Sequence, residues 1–141
     1  MTGIVVDTNT SVSALLWGGT PQRVLAVAID QSIPLLISKQ LIQELESTLA
    51  KPRLAKYVVL TGKTPSDLVA QLISIMTLIE PVDVPADAVR DPDDVKVLAA
   101  AVGGKATHIV SGDKDLLTLG VYQDIRIMSA LQFIQEIEAG L

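Results

Sequence analysis

The chain contains no cysteine and a single histidine, and only 3% of its residues are aromatic. Without cysteine there is no disulfide scaffold, thiolate zinc site, iron–sulfur cluster or cysteine nucleophile, and one imidazole excludes any site that needs two. One tryptophan, one phenylalanine and two tyrosines leave little material for a stacking platform of the single-strand-binding kind. Positive charge is also scarce, since 11 Lys and Arg stand against 16 Asp and Glu, a net charge of −5. That balance argues against gripping nucleic acid by bulk electrostatics, which draws on a basic surface. It does not exclude an enzyme that reaches phosphates through bound cations. No apolar run approaches the roughly 20 residues of a membrane span, and Met1 to Asp7 has no basic leader region. These absences lead us to expect a soluble, cytoplasmic protein that does not enter a membrane.

Apolar residues make up 49% of the 141 positions, so intrinsic disorder is excluded and there is material for one core without covalent staples. We expect one domain over residues 1–141, with no repeat, low-complexity tract or linker. Ile4 to Val6, Pro34 to Ile37, His108 to Ser111 and Ile125 to Met128 are continuous apolar runs, the pattern of strands covered on both faces of a parallel sheet. Pro81 to Val84 reads as a weaker fifth strand, confined to an edge by its flanking prolines. Between them, helices are announced by Thr20-Pro21, by Ser38 ahead of Leu41, Ile42, Leu45 and Leu49, by Thr64-Pro65 ahead of Leu68 to Ile79, by Asp91-Pro92, and by Ser129. Gly103-Gly104 reads as the stop signal of the Asp91-Pro92 helix. The alternation predicts an α/β fold with a central parallel sheet of four to five strands flanked by helices.

In such sheets ligands bind beyond the carboxyl ends of the strands, and the residues that fall there are nearly all acids. Asp7 follows the first strand directly; Asp113 follows Val110-Ser111-Gly112, with Asp115 two residues on; Asp91, Asp93 and Asp94 open a helix; Glu44 lies about two turns into another. At about 100° per residue, Asp94 points into the stripe of Val95, Leu98 and Ala101, whereas Asp93 lies off it. Glu44 and Glu46 flank the Leu41/Ile42/Leu45/Leu49 stripe on opposite sides, and periodicity does not choose between them. Taken singly, Asp7 reads equally as a cap or turn residue, Asp113 as the N-cap of a short helix, Asp91 as an N-cap and Asp93 as a solvated acid. Together at one end of one sheet they repel unless a cation lies among them. Mg²⁺ or Mn²⁺ suits an all-oxygen site of this kind, and the chemistry that follows is metal-assisted phosphodiester hydrolysis.

These residues carry a resemblance. Val6-Asp7-Thr8-Asn9 with Ser13-Ala14-Leu15, Leu41-Ile42-Gln43-Glu44-Leu45, Arg90-Asp91-Pro92-Asp93-Asp94 with Lys96 and Leu98 behind it, and Val110-Ser111-Gly112-Asp113-Lys114-Asp115-Leu116 resemble the motifs of the PIN-domain family, specifically the VapC-like toxin components of bacterial toxin–antitoxin pairs. The resemblance covers nearly the whole chain. It implies a metal-binding, catalytic quartet of Asp7, Glu44, Asp94 and Asp113, with Asp115 as an auxiliary acid and Asn9 and Ser111 orienting a carboxylate or a water. It also implies a Mg²⁺- or Mn²⁺-dependent endoribonuclease leaving a 3′-hydroxyl and a 5′-phosphate, restrained by an antitoxin and often homodimeric. An apolar face on the Leu68 to Ile79 helix, larger than one stripe buries internally, points the same way toward a homodimer.

Two other functions compete: a PIN-like interaction module without catalysis, and an aspartyl phosphotransfer protein using Asp7. Among the remaining residues, Lys51, Arg53, Lys56 and Lys63 fall in a stretch with no acid, which reads as a solvated connection or as guidance for an RNA backbone. Trp17, beside Gly18-Gly19, reads as cover for the core's edge or as a base-stacking residue. His108 reads as structural.

Overall fold

A computed structural model describes residues 3–140. The element order is β1 (Ile4–Val6), α1 (Thr8–Leu16), α2 (Gly19–Asp30), β2 (Leu35–Ile37), α3 (Lys39–Leu49), α4 (Ala55–Leu60), α5 (Pro65–Ile73), β3 (Thr77–Leu78), α6 (Val95–Gly103), β4 (His108–Val110), α7 (Lys114–Leu119), β5 (Val121–Tyr122), β6 (Ile125–Met128) and α8 (Ala130–Ala139). Short 3₁₀ turns at Pro52–Leu54 and Pro92–Asp94 lead into α4 and α6. The strands form one sheet in the order β3-β2-β1-β4-β6-β5. Every pairing is parallel except that of the edge strand β5 with β6. The α/β fold with a mostly parallel, helix-flanked sheet is the one the apolar runs predict, but among the described residues the sheet has six strands rather than four to five, because the two-residue strands β3 and β5 carry no apolar run of their own.

Alternation along each strand sends side chains to both faces, and both faces are filled. Ile4 and Val6 pack with Leu35 against Val24 and Ala28 of α2, Leu45 and Leu49 of α3, Leu72 of α5 and Phe133 of α8. Val5, Leu36, Ile37 and Ile109 pack on the other side against Val97, Leu98 and Ala101 of α6 and Leu116 of α7. Each such side chain contributes about 1.5–3 kcal/mol by leaving water, which is why unbroken apolar runs suffice to place the strands. His108 is buried at the start of β4, where its Nε2 meets Glu136 of α8 at 2.8 Å and its ring meets Phe133 edge-on. Among the described residues no helix is long and apolar enough to cross a membrane.

The caps at Ser38, Thr64, Asp113 and Ser129 form as their sequences indicate; Thr64 and Ser129 complete reciprocal capping boxes with Asp67 and Gln132. Other expectations require correction. Residues 81–84 are not a strand: the edge of the sheet is β3, and Ile79 extends it by donating to the Ile37 carbonyl at 2.9 Å. Proline at 81 lacks the N–H that would continue this ladder, so the chain leaves the sheet there. The Leu68 to Ile79 segment is consequently not one helix. Helix α5 ends at Ile73, and its Leu68, Val69 and Leu72 are buried inside the domain rather than offered to a partner. Helix α1 is missing from the sequence reading altogether. Its Thr-Asn-Thr-Ser opening is poor in helix propensity, and what establishes it is the Asp7 cap together with burial of Thr8, Thr10, Ser11, Val12 and Ala14.

Gly103 and Gly104 end α6, but not by a left-handed turn, since Gly104 has φ −85°. The requirement is proximity. A Cβ on Gly103 would lie 2.0 Å from the Glu80 carbonyl oxygen, where the chain leaving β3 crosses the helix. Gly103→Ala therefore forces backbone apart, and its cost of about 1–3 kcal/mol outweighs the roughly 1 kcal/mol that alanine gains in helix propensity. Urea unfolding checks this against Gly112→Ala, where a Cβ meets nothing within 4 Å; equal midpoints for the two variants would refute the close approach.

Candidate active site

Strands β1 and β4 lie side by side at the point where the sheet order reverses, with β2 on one flank and β6 on the other. Chains leaving this point diverge and open a crevice. Asp7 leaves β1 with its N–H bonded to the Val110 carbonyl at 3.0 Å, then caps α1 by accepting from the Thr10 N–H through Oδ1 at 2.9 Å. Its Oδ2 accepts from the hydroxyl of Ser111, which is fully buried at the end of β4. The same Ser111 oxygen accepts from the Asp113 N–H at 2.9 Å. Asp113 in turn caps α7, accepting from the Leu116 N–H at 3.1 Å. Both acids thus act as caps and both present carboxylate to the crevice, so the two readings left open by the sequence are compatible.

From the opposite side, the Pro92–Asp94 turn brings Asp91 and Asp94. Asp91 is the cap of that turn, accepting from the Asp93 N–H at 3.0 Å. Asp94 points inward, as its angle on the helix predicts: its Oδ2 is buried and has no hydrogen-bond partner. One carboxylate oxygen from each of Asp91, Asp94, Asp113 and Asp115 lies within 4.8 Å of the others. Helix α3 supplies Glu44, which turns toward the crevice and forms an ion pair with Lys96 of α6, whereas Glu46 is exposed on the other flank.

A cavity of about 210 Å³ lies between these elements, lined by Asp7, Glu44, Asp94 and Asp113 together with Asn9, Asp91 and Asp93. The four acids of the expected quartet therefore share one cavity. Asn9 is at its rim, Ser111 lies beneath it holding Asp7, and Asp115 joins the tight acid group instead of lining the cavity. Sequence reasoning assigned Asp91 only a capping role and Asp93 only a solvated one. Yet a cap uses one oxygen of its carboxylate, and the free oxygen of Asp91 was the available signal. Lys51 also lines the cavity, and the Lys96 partnership of Glu44 had no local signature.

The electrostatics of this gathering are strained. Asp94 is pushed up to about 8, first by burial, then by its hydrogen bond to Asp113 and by the charges of Asp113, Asp91 and Asp7. Asp113 is held below the usual carboxylate range, chiefly because it accepts that hydrogen bond. Asp94 therefore gives up its proton less readily than an ordinary carboxylate, and Asp113 beside it more readily. Asp7 is also raised, by burial foremost, against the opposing bonds from Ser111 and Thr10. Protons here stand in for positive charge, and a group of carboxylates with an orphaned inward oxygen fits a hard divalent cation.

The sign of the pH dependence follows. Above the ordinary carboxylate value of 3.8 the unfolded chain has lost the protons that folded Asp94 and Asp7 retain, so in that window stability falls as pH rises. Asp113, lowered, acts in the opposite sense only when pH drops through the acid range. Without divalent cations the melting temperature should decline from about pH 5 to pH 8 through this contribution, Asp94→Asn should flatten the decline, and Mn²⁺ should stabilise more at the upper end. An Asp94→Asn profile parallel to wild type under chelation would contradict the raised Asp94 carboxyl.

Comparison with known proteins identifies the family and the fold. A family model described as a PIN domain matches residues 3–115, a span that includes every acid of the site. No curated protein matches. Among solved structures, the crystal structure of PAE2754 from Pyrobaculum aerophilum matches with a TM-score of 0.57 at 15% identity, over 97% of this chain and 90% of that one, a likeness of fold. With most of its length matched by the family model and its site built at the switch point of the shared fold, this chain belongs to the PIN-domain family, a family of nucleases.

Proposed function

We propose that the protein is a Mg²⁺- or Mn²⁺-dependent endoribonuclease, the toxin of a toxin–antitoxin pair. The observation that carries the reading is the buried, unpartnered Oδ2 of Asp94 within a group of acids whose oxygens approach to 4.8 Å. Burying an unsatisfied carboxylate oxygen is costly, and a cation-binding role accounts for it. Asp94 and Asp113 would hold the cation, with Asp91 and Asp115 completing the acid group and Asp7 lining the same cavity. When bound, it neutralises phosphate charge and makes a water acidic enough to attack at neutral pH.

The protein's own residues do the rest. Ser111 and the Thr10 N–H fix both oxygens of Asp7, so its orientation is set before substrate arrives. Glu44 faces the cavity and would accept a proton from the attacking water, while its ion pair with Lys96 positions it. Lys51 at the rim meets substrate phosphate. Aspartyl phosphotransfer is disfavoured, because a nucleophilic Asp7 would need an accessible oxygen and the residue is only 5% exposed, with each oxygen held by a hydrogen bond. A homodimer and a restraining antitoxin belong to the same proposal; with the α5 face internal, the exposed apolar residues left for contact include Val59 and Leu60 of α4.

The test is initial cleavage rate on a defined single-stranded RNA with Mn²⁺. Glu44→Gln and Asp94→Asn should each lose about 10²-fold or more, and Glu46→Gln should retain wild-type rate, once all three are shown to fold. Equal rates for the two glutamate variants would move the water-activating role away from α3. RNA that stays intact with every divalent ion would leave a non-catalytic PIN module. Sedimentation of the purified chain as a monomer at tens of micromolar would remove the dimer and leave the nuclease standing.

A further inference from the structure

The only tryptophan of the chain, Trp17, is 53% exposed. In a protein with so few aromatics, this large apolar side chain lies outside the core, at the end of α1. It is nevertheless fixed, because the indole meets Tyr57 of α4 in an edge-to-face contact with centroids 5.1 Å apart, and the Lys56 ammonium lies 5.0 Å from the centre of the Tyr57 ring. The indole forms one wall of a groove of about 240 Å³, with Arg53 on another side. Asn9 and Thr48 line both this groove and the acidic cavity, so the two are adjacent. Lys51, at the cavity rim, belongs to the same acid-free stretch as Arg53 and Lys56.

An indole packed on Tyr57, a guanidinium and a groove beside the acidic cavity are the elements that recognise an unpaired nucleotide. Stacking on an aromatic face is open to every base, and a neighbouring cation meets the linking phosphate. A duplex keeps its bases stacked on one another and has none to offer. We propose that Trp17 and Arg53 form a base-stacking subsite for an unpaired nucleotide of the substrate, next to the cleavage cavity and reached past Asn9 and Thr48. The proposal rests on the nuclease reading for the identity of the strand as RNA substrate. It assigns to Trp17 a positioning role, felt in substrate binding rather than in the chemical step.

Because Trp17 is the only indole, its fluorescence reports the subsite directly. Asp94→Asn protein, which binds without turnover, is titrated with an eight-nucleotide adenosine RNA and with the same RNA in a duplex. Saturable quenching by the single strand and none by the duplex is the expected result. In wild-type protein with Mn²⁺, Trp17→Ala should raise KM by about five- to hundredfold with kcat little changed, Trp17→Phe should recover much of the loss, and Arg53→Ala should lower the salt dependence of binding by about one phosphate contact. Cleavage that proceeds without quenching, and equally well in Trp17→Ala, overturns the subsite and leaves the nuclease reading intact. Quenching by the single strand without cleavage by wild type supports the subsite and overturns the nuclease reading. Equal quenching by duplex and single strand overturns stacking on an unpaired base.

Discussion

The fully buried hydroxyl of Ser111 donates to Asp7 and accepts from the Asp113 N–H, and the arrangement of the site depends on that pair of bonds. Two carboxylates leaving adjacent strands would otherwise splay apart under their mutual repulsion. The hydroxyl is suited to the task because it offers a donor and an acceptor at once, so one small side chain sets the position of both acids. The Asp7 N–H bond to Val110 and the capping bonds to Thr10 and Leu116 then transmit that position to α1 and α7. The first helix therefore owes its start to the same residue that faces the cavity.

This economy has an energetic consequence. Capping an N-terminus satisfies free N–H groups and gains from the helix dipole, contributions that offset part of the cost of crowding acids. Asp7, Asp91 and Asp113 are all caps, whereas Asp94 makes no capping bond. It is Asp94 that keeps a buried unpartnered oxygen and is pushed furthest from the usual carboxylate range. Local structure thus explains three of the acids in the absence of any ligand and leaves the fourth unexplained, which is why Asp94 carries more functional information than the others.

The same distinction governs what was legible in the sequence. Strand positions were readable because parallel strands buried on both faces must be unbroken apolar runs, and Val5 and Val6 face opposite cores. The inward angle of Asp94 was readable from helical periodicity, since the stripe it joins is the buried face of α6. Helix α1 was not, because its polar β-branched opening argues against a helix and only the fold buries it. Nor was the break after Ile73, where apolar residues continue into β3 without a change in composition. Glu44 and Glu46 were symmetric about their stripe; the symmetry is broken by Lys96, 52 positions away in the sequence but adjacent once α3 packs on α6.

The distribution of charge also shows how an acidic protein can engage a polyanion. Net charge opposes approach, but the field near the surface depends on where charges lie. The acids are concentrated in a cavity where a cation can reverse their sign, while Lys51, Arg53 and Lys56 follow one another on the neighbouring surface with no acid among them. On the proposed function, a strand entering along that surface would meet positive charge first and the acids only where a cation neutralises them. Affinity would then be confined to one path, and a chain with few basic residues would need only those on that path.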